Sequence, residues 1–174
     1  MEPTNGIMNK IVEWGNANGN KIEQAYSFNG GWEGWVQVEL AMVMKQTFES
    51  ENRGATITVT REDPVYGTAQ RSDLLITTRR PGNNFTNMFE LKCEASRAGG
   101  AAAFAAAVGA DCTKVNNAAI ANQYLPCKAW VVAFSATRDL TNLAVGGANL
   151  KAYPKKITAG AMTITLYWGS KDFK

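Results

Sequence analysis

Three observations predict an α/β fold with a mixed central sheet flanked by helices. Apolar residues recur at helical period from residue 32 to about 48, then switch to period two at Thr56-Ile57-Thr58-Val59-Thr60. A nearly continuous apolar run, Ala129-Trp130-Val131-Val132-Ala133-Phe134 after Lys128, reads as a strand buried on both faces. Between them, residues 101–115 are rich in alanine and read as a helix small-sided enough to pack closely on a sheet.

Taken from the start, residues 1–30 are polar and rich in Asn and Gly, and read as a loosely ordered lead-in with a short helix over residues 7–14. Residues 31–174 are expected to form one α/β domain. Asn29-Gly30-Gly31 punctuates the chain before the helix of residues 32–48. At about 100° per residue, Trp32, Trp35, Val36, Val38, Glu39, Leu40, Met42 and Val43 share one broad side. Glu33, Gln37, Ala41, Met44 and Lys45 fall mainly on the other, so Glu39 is an acid inside an apolar stripe. The strand at residues 56–60 is followed by a connection with Pro64, a second strand at 72–77, a turn at 81–84 and a third strand at 87–93. The last two strands read as a hairpin. After the buried strand at 128–134, the alternating segment 161–168 is expected to close an edge, with a further helix open as an alternative in between.

Composition removes several chemistries. Apolar residues are 45% and charged residues 19%, a globular balance, and a net charge of +3 is too small to mark a nucleic-acid binder by itself. The doublets Arg79-Arg80 and Lys155-Lys156 read either as a local basic face or as solvated strand ends. No stretch approaches the ~20 apolar residues needed to span a bilayer, and no apolar run near Met1 resembles a secretory signal. The expectation is a soluble chain without a membrane partner, either cytoplasmic or secreted with its signal already removed. Cys93, Cys112 and Cys127 lack CxxC spacing, which disfavours zinc. Histidine is absent, which excludes Ser-His-Asp and Cys-His systems and any histidine general base. Hydrolysis would rest on carboxylates, lysine, tyrosine or a hard cation.

The third strand carries such groups. Phe89, Leu91 and Cys93 point one way, while Met88, Glu90, Lys92 and Glu94 point the other. A Glu and a Lys on one face of an apolar strand are costly to bury unless paired or metal-bound. In the neighbouring strand, Asp73 sits before the apolar run Leu74-Leu75-Ile76. Each acid also has a plainer reading: Asp73 as a turn cap, Glu90 and Lys92 as a solvated cross-strand pair, Glu39 as a rim residue.

Asp73 in Arg71-Ser72-Asp73-Leu74-Leu75-Ile76, with Glu90-Leu91-Lys92 placed 17 residues on, resembles the motif of the PD-(D/E)XK nuclease superfamily. The element order, an acid-bearing helix, a hairpin, then a helix crossing to another strand, resembles it too. Ser72 stands where the family name has proline. The resemblance implies a restriction-endonuclease-like αβββαβ core and a nuclease that needs Mg²⁺ or Mn²⁺. Asp73, Glu90 and the Leu91 carbonyl would hold the ion, and Lys92 would position water and stabilise negative charge. Glu39 would bind the ion directly or through a water. Glu33, its rival, is turned about 120° away. Lys114, with Asp111 one turn before it, is a candidate contribution from the second helix; otherwise the two form an i,i+3 surface pair. The partner would be DNA or RNA. The alternative is a non-catalytic effector, toxin or immunity-type module on the same fold, with a protein partner. Gly31-Trp32-Glu33-Gly34-Trp35-Val36-Gln37-Val38-Glu39 with Glu90-Leu91-Lys92-Cys93-Glu94 also resembles uncharacterised fungal proteins, a likeness that carries no function. Trp32 and Trp35 read as core or as base-stacking platforms, and Tyr66, in the loop before Asp73, is left open, an exposed contact being one reading.

Overall fold

The computed structural model describes residues 4–28, 31–96 and 100–174. Helices α1 (Thr4–Ala17) and α2 (Gly19–Tyr26) occupy the stretch expected as a lead-in. Ile7, Met8, Ile11, Val12 and Trp14 recur at helical spacing and are buried, as is Ile22. The apolar spacing outweighs the polar composition, and both helices belong to the core.

Helix α3 (Glu33–Glu51) has a different phase from the one expected. Its inward line is Val36, Leu40, Met44 and Phe48, each four residues on, with Gln37 and Thr47 beside it. Val38 and Met42 face outward, 41% and 52% exposed. Apolar residues lie all round this helix, so composition does not choose its inner face. Gln37 is tolerated inside because its Oε1 accepts a hydrogen bond from Arg61 Nη2 at 2.9 Å.

Three antiparallel strands follow: β1 (Thr56–Asp63), β2 (Ser72–Arg80) and β3 (Asn83–Cys93). Gly82 turns the β2–β3 hairpin at φ 75°, where a side chain would be strained. Helix α4 (Gly100–Asn116) and a short 3₁₀ turn (Asn122–Tyr124) cross over to β4 (Cys127–Ser135), which runs parallel to β3. In place of a further helix come a small hairpin, β5 (Ala144–Val145) with β6 (Ala148–Asn149), then β7 (Lys151–Ala152) and β8 (Ile157–Ala159). Strand β9 (Met162–Phe173) is longer than expected and lies inside the sheet, between β4 and β7. Its polar end, Ser170-Lys171-Asp172, still pairs with β4, because backbone ladder bonds do not depend on side-chain polarity.

The main sheet therefore runs β1-β2-β3-β4-β9-β7, mixed and mostly antiparallel, with β8 attached to β9. One face packs on α1, α2 and α3 through Leu74, Ile76, Phe89, Leu91, Trp130 and Val132. The other packs on α4 through Leu75, Met88, Val131 and Ala133. Among the described residues no helix is long and apolar enough to cross a membrane. Both basic doublets are exposed.

Candidate active site

The hairpin register decides where the acids go. Leu74 and Phe89 are the last paired residues, so Asp73 and Glu90, each one step past them on adjacent strands, share the α4 face of the sheet. Lys92, two residues beyond Glu90, shares that face. Asp73 is partly buried, and its Oδ2 accepts a hydrogen bond from the Leu91 backbone N–H at 2.6 Å. The two acids and the lysine of the motif are thus adjacent.

Glu90 is almost fully enclosed. Its Oε2 accepts from Lys114 Nζ at 2.7 Å, and its Oε1 accepts from the Tyr66 hydroxyl. Burial pushes its carboxyl up to about 7, against the lowering effect of Lys114 and Tyr66. Tyr66 is buried between Glu90 and the Lys114 ammonium, which sits 4.9 Å from its ring centroid. The reading of Tyr66 as an exposed contact is corrected: the bridge Tyr66–Ile120 pins that loop inside. Burial and the charge of Glu90 raise its hydroxyl far above the ordinary range.

Lys92 is clasped by oxygens. Its Nζ lies 2.9 Å from Glu33 Oε1, 3.3 Å from the Leu91 carbonyl oxygen and 3.5 Å from Asp111 Oδ2. The Asp111 oxygen is buried and lacks a hydrogen-bond partner; its lysine neighbour stands at ion-pair distance only. Asp111 and Lys114 are the only charged residues of α4, and both turn inward. Reading them as a surface pair is therefore corrected.

Glu33, at the first turn of α3, reaches the cluster; Glu39 does not. Glu39 accepts from the indoles of Trp14 at 3.2 Å and Trp35 at 3.3 Å. The shifted helix phase exchanges the two acids. Trp32 is core, 2% exposed, and donates its indole N–H to the Glu94 backbone oxygen at 2.7 Å.

Four carboxylates, of Glu33, Asp73, Glu90 and Asp111, thus meet two ammonium groups, of Lys92 and Lys114. Fully ionised, the cluster would carry two uncompensated negative charges. Burial raises the carboxyls of Glu33, Glu90 and Asp111 above their ordinary values, against the lowering effect of the neighbouring lysines. Their oxygens suit a hard cation, and Asp111 Oδ2, ion-paired to Lys92 at 3.5 Å but without a hydrogen bond, has the same chemistry. Among the described residues, no three acidic or sulfur side chains converge tightly enough to cage an ion as they stand. A cleft of about 400 Å³, lined by Trp32, Glu33, Lys92, Cys93 and Phe104, borders the cluster between α3 and α4.

The fold and cluster define an α/β domain with a partly buried acid-and-lysine site where β2 begins and β3 ends. Compared with family models, curated proteins and solved structures, the chain finds no match. Tyr66 and Asp111 are the members that sequence reasoning placed outside the site. For Asp111 a signal existed: two lone charges, i and i+3, in a helix otherwise made of small and apolar residues.

Proposed function

We propose that this protein is a metal-dependent nuclease of the PD-(D/E)XK type, hydrolysing phosphodiester bonds of DNA or RNA. The observation carrying this reading is that Asp73 and Glu90 lie on adjacent strands, each one step past the last paired residues Leu74 and Phe89, with Lys92 on the same face, in a cluster rich in acid. The succession α3-β1-β2-β3-α4-β4, with β4 parallel to β3, supports a restriction-endonuclease-like αβββαβ core. Asp73, Glu90 and the Leu91 carbonyl would hold Mg²⁺ or Mn²⁺, and Glu33, rather than Glu39, supplies the helix acid. The ion, when bound, supplies a water of lowered pKa and positive charge for the phosphoryl oxygens. Lys92 would orient a water and stabilise developing negative charge, with a substrate oxygen taking the place of one of its carboxylate contacts. Asp111 positions Lys92 from α4.

A second reading, a non-catalytic effector, toxin or immunity-type module, is favoured by one observation. Glu90 is 1% exposed and capped by Tyr66 and Lys114, an arrangement suited to a stable buried pair. Incubation with plasmid, single-stranded DNA and structured RNA, with Mn²⁺ and with or without chelator, separates the two. The nuclease reading expects cleavage that chelation abolishes and that falls at least ~100-fold in Asp73→Asn and Lys92→Ala, with melting curves retained. Absence of cleavage from every substrate favours the binding module.

A further inference from the structure

We infer that a second, separate site, on the opposite face of the sheet, binds a nucleobase with its attached phosphate. Asn87 and Glu90 lie three positions apart on β3 and so face opposite ways. The inference therefore stands whether or not the acidic cluster is catalytic. The cavity measures about 210 Å³, below the ~300 Å³ typical of drug-sized sites, and suits one ring system. It lies where the end of α3 meets the β2–β3 hairpin, lined by Phe48, Thr78, Arg80, Asn83, Phe85 and Asn87.

Its polar groups are held in place. Asn87 is 3% exposed, and its Oδ1 accepts from the Trp130 indole at 3.0 Å. That bond fixes the amide orientation, leaving the NH₂ as the group Asn87 presents to the cavity it lines. Among the described residues the NH₂ has no protein acceptor, so a ligand acceptor in the cavity can take it in place of water. Thr78, also buried, adds a hydroxyl. Phe85, half-buried, brings apolar ring surface against which a planar base packs without sequence preference, over the buried edge of Phe48.

Arg80 supplies the anion contact. Its Nη2 donates to Asn52 Oδ1 at 3.2 Å, while Asn52 Nδ2 donates to the Phe48 carbonyl at 2.9 Å. The guanidinium is thereby braced against the end of α3, and its remaining donors sit at an exposed rim. Aromatic surface, an oriented amide donor and a braced guanidinium together match a base joined to a phosphate. A free nucleotide and an unstacked base of a single strand share that chemistry.

The test titrates the full chain with the four common nucleoside monophosphates, the matching nucleosides and a short single-stranded oligonucleotide, without added metal. Binding is read by calorimetry and by the NMR signal of the Trp130 indole N–H, which reports at Asn87. Expected are saturable binding of at least one monophosphate with a shift of that signal, a loss of about tenfold in affinity in Arg80→Gln, and an unchanged affinity in Asp73→Asn. The nucleoside binds more weakly than its monophosphate. Oligonucleotide binding tighter than any monophosphate marks a strand as the ligand, and the reverse marks a free nucleotide. Arg80 is exposed, so its variant tests binding without endangering the fold. No saturable binding up to about 10 mM, no movement of the indole signal, or equal affinity in Arg80→Gln overturns the inference.

Discussion

Lys114 Nζ lies 2.7 Å from Glu90 Oε2, joining the last turn of α4 to the C-terminal part of β3 inside the protein. The carboxylate of this pair is 1% exposed, so the attraction acts with little screening by water. Removing one partner leaves the other charge buried alone. Lys114→Met is expected to destabilise the fold at pH 8 by about 3 kcal/mol, measured by urea unfolding. Glu90→Gln with Lys114→Met should cost clearly less than the sum of the two single changes. Additive costs would show that the pair contributes nothing as a pair.

Glu33 and Glu39 make opposite predictions. Glu33 touches Lys92, whereas Glu39 is bonded to two indoles. Glu33→Gln should therefore lower nucleic-acid cleavage at least tenfold with little effect on melting. Glu39→Gln should leave cleavage within twofold while costing about 1 kcal/mol of stability. The reverse pattern would restore Glu39 to the site.

Glu94 gives the acid limb of stability. Its buried carboxylate accepts from Ser135 Oγ at 2.8 Å, Ala136 N at 2.8 Å, Thr137 N at 3.0 Å and the Thr137 hydroxyl. Burial pushes its carboxyl up, but the bonds from Thr137, Ser135 and Ala136 outweigh burial and hold it below the ordinary 4.5. A depressed carboxyl contributes stability above its unfolded value and loses it as pH falls through the folded value. Wild-type unfolding free energy should drop from pH 6 to pH 3 more steeply than that of Glu94→Gln. Parallel curves would remove Glu94 from the acid transition.

Gly19 tests whether the N-terminal helices are integral to the fold. A methyl group there would run into the Thr158 backbone oxygen on β8, which cannot rotate away. Gly19→Ala should cost roughly 1–3 kcal/mol by thermal or urea unfolding despite alanine's better helix propensity. A neutral or stabilising result would mean that α2 does not pack on β8.

The strands were legible because their residues announce both period and burial. β-Branched alternation marked β1, and the unbroken apolar run marked β4. Asp73, Glu90 and Lys92 were legible for a related reason: charges inside apolar strands need partners, and antiparallel pairing sets neighbouring strands side by side. The inner face of α3 was not legible, since Val38 and Met42 are as apolar as the buried Leu40 and Met44. That one ambiguity carried Glu39 into the site and left Glu33 as its rival. α1 and α2 were masked by their Asn and Gly content, although Ile7, Ile11 and Trp14 kept helical spacing. Tyr66 carries no local sign of burial; the bridge to Ile120, 54 positions away, and its contacts with Glu90 and Lys114 bring it inside.

Calorimetric titration with Mn²⁺ weighs the metal-site proposal without needing the right substrate. Wild-type protein should bind the ion saturably, at about one per chain and at millimolar concentration or below, with Asp73→Asn losing that binding and Glu39→Gln retaining it. No bound Mn²⁺ in the wild type, or undiminished binding in Asp73→Asn, would contradict a catalytic metal at the Asp73–Glu90 pair.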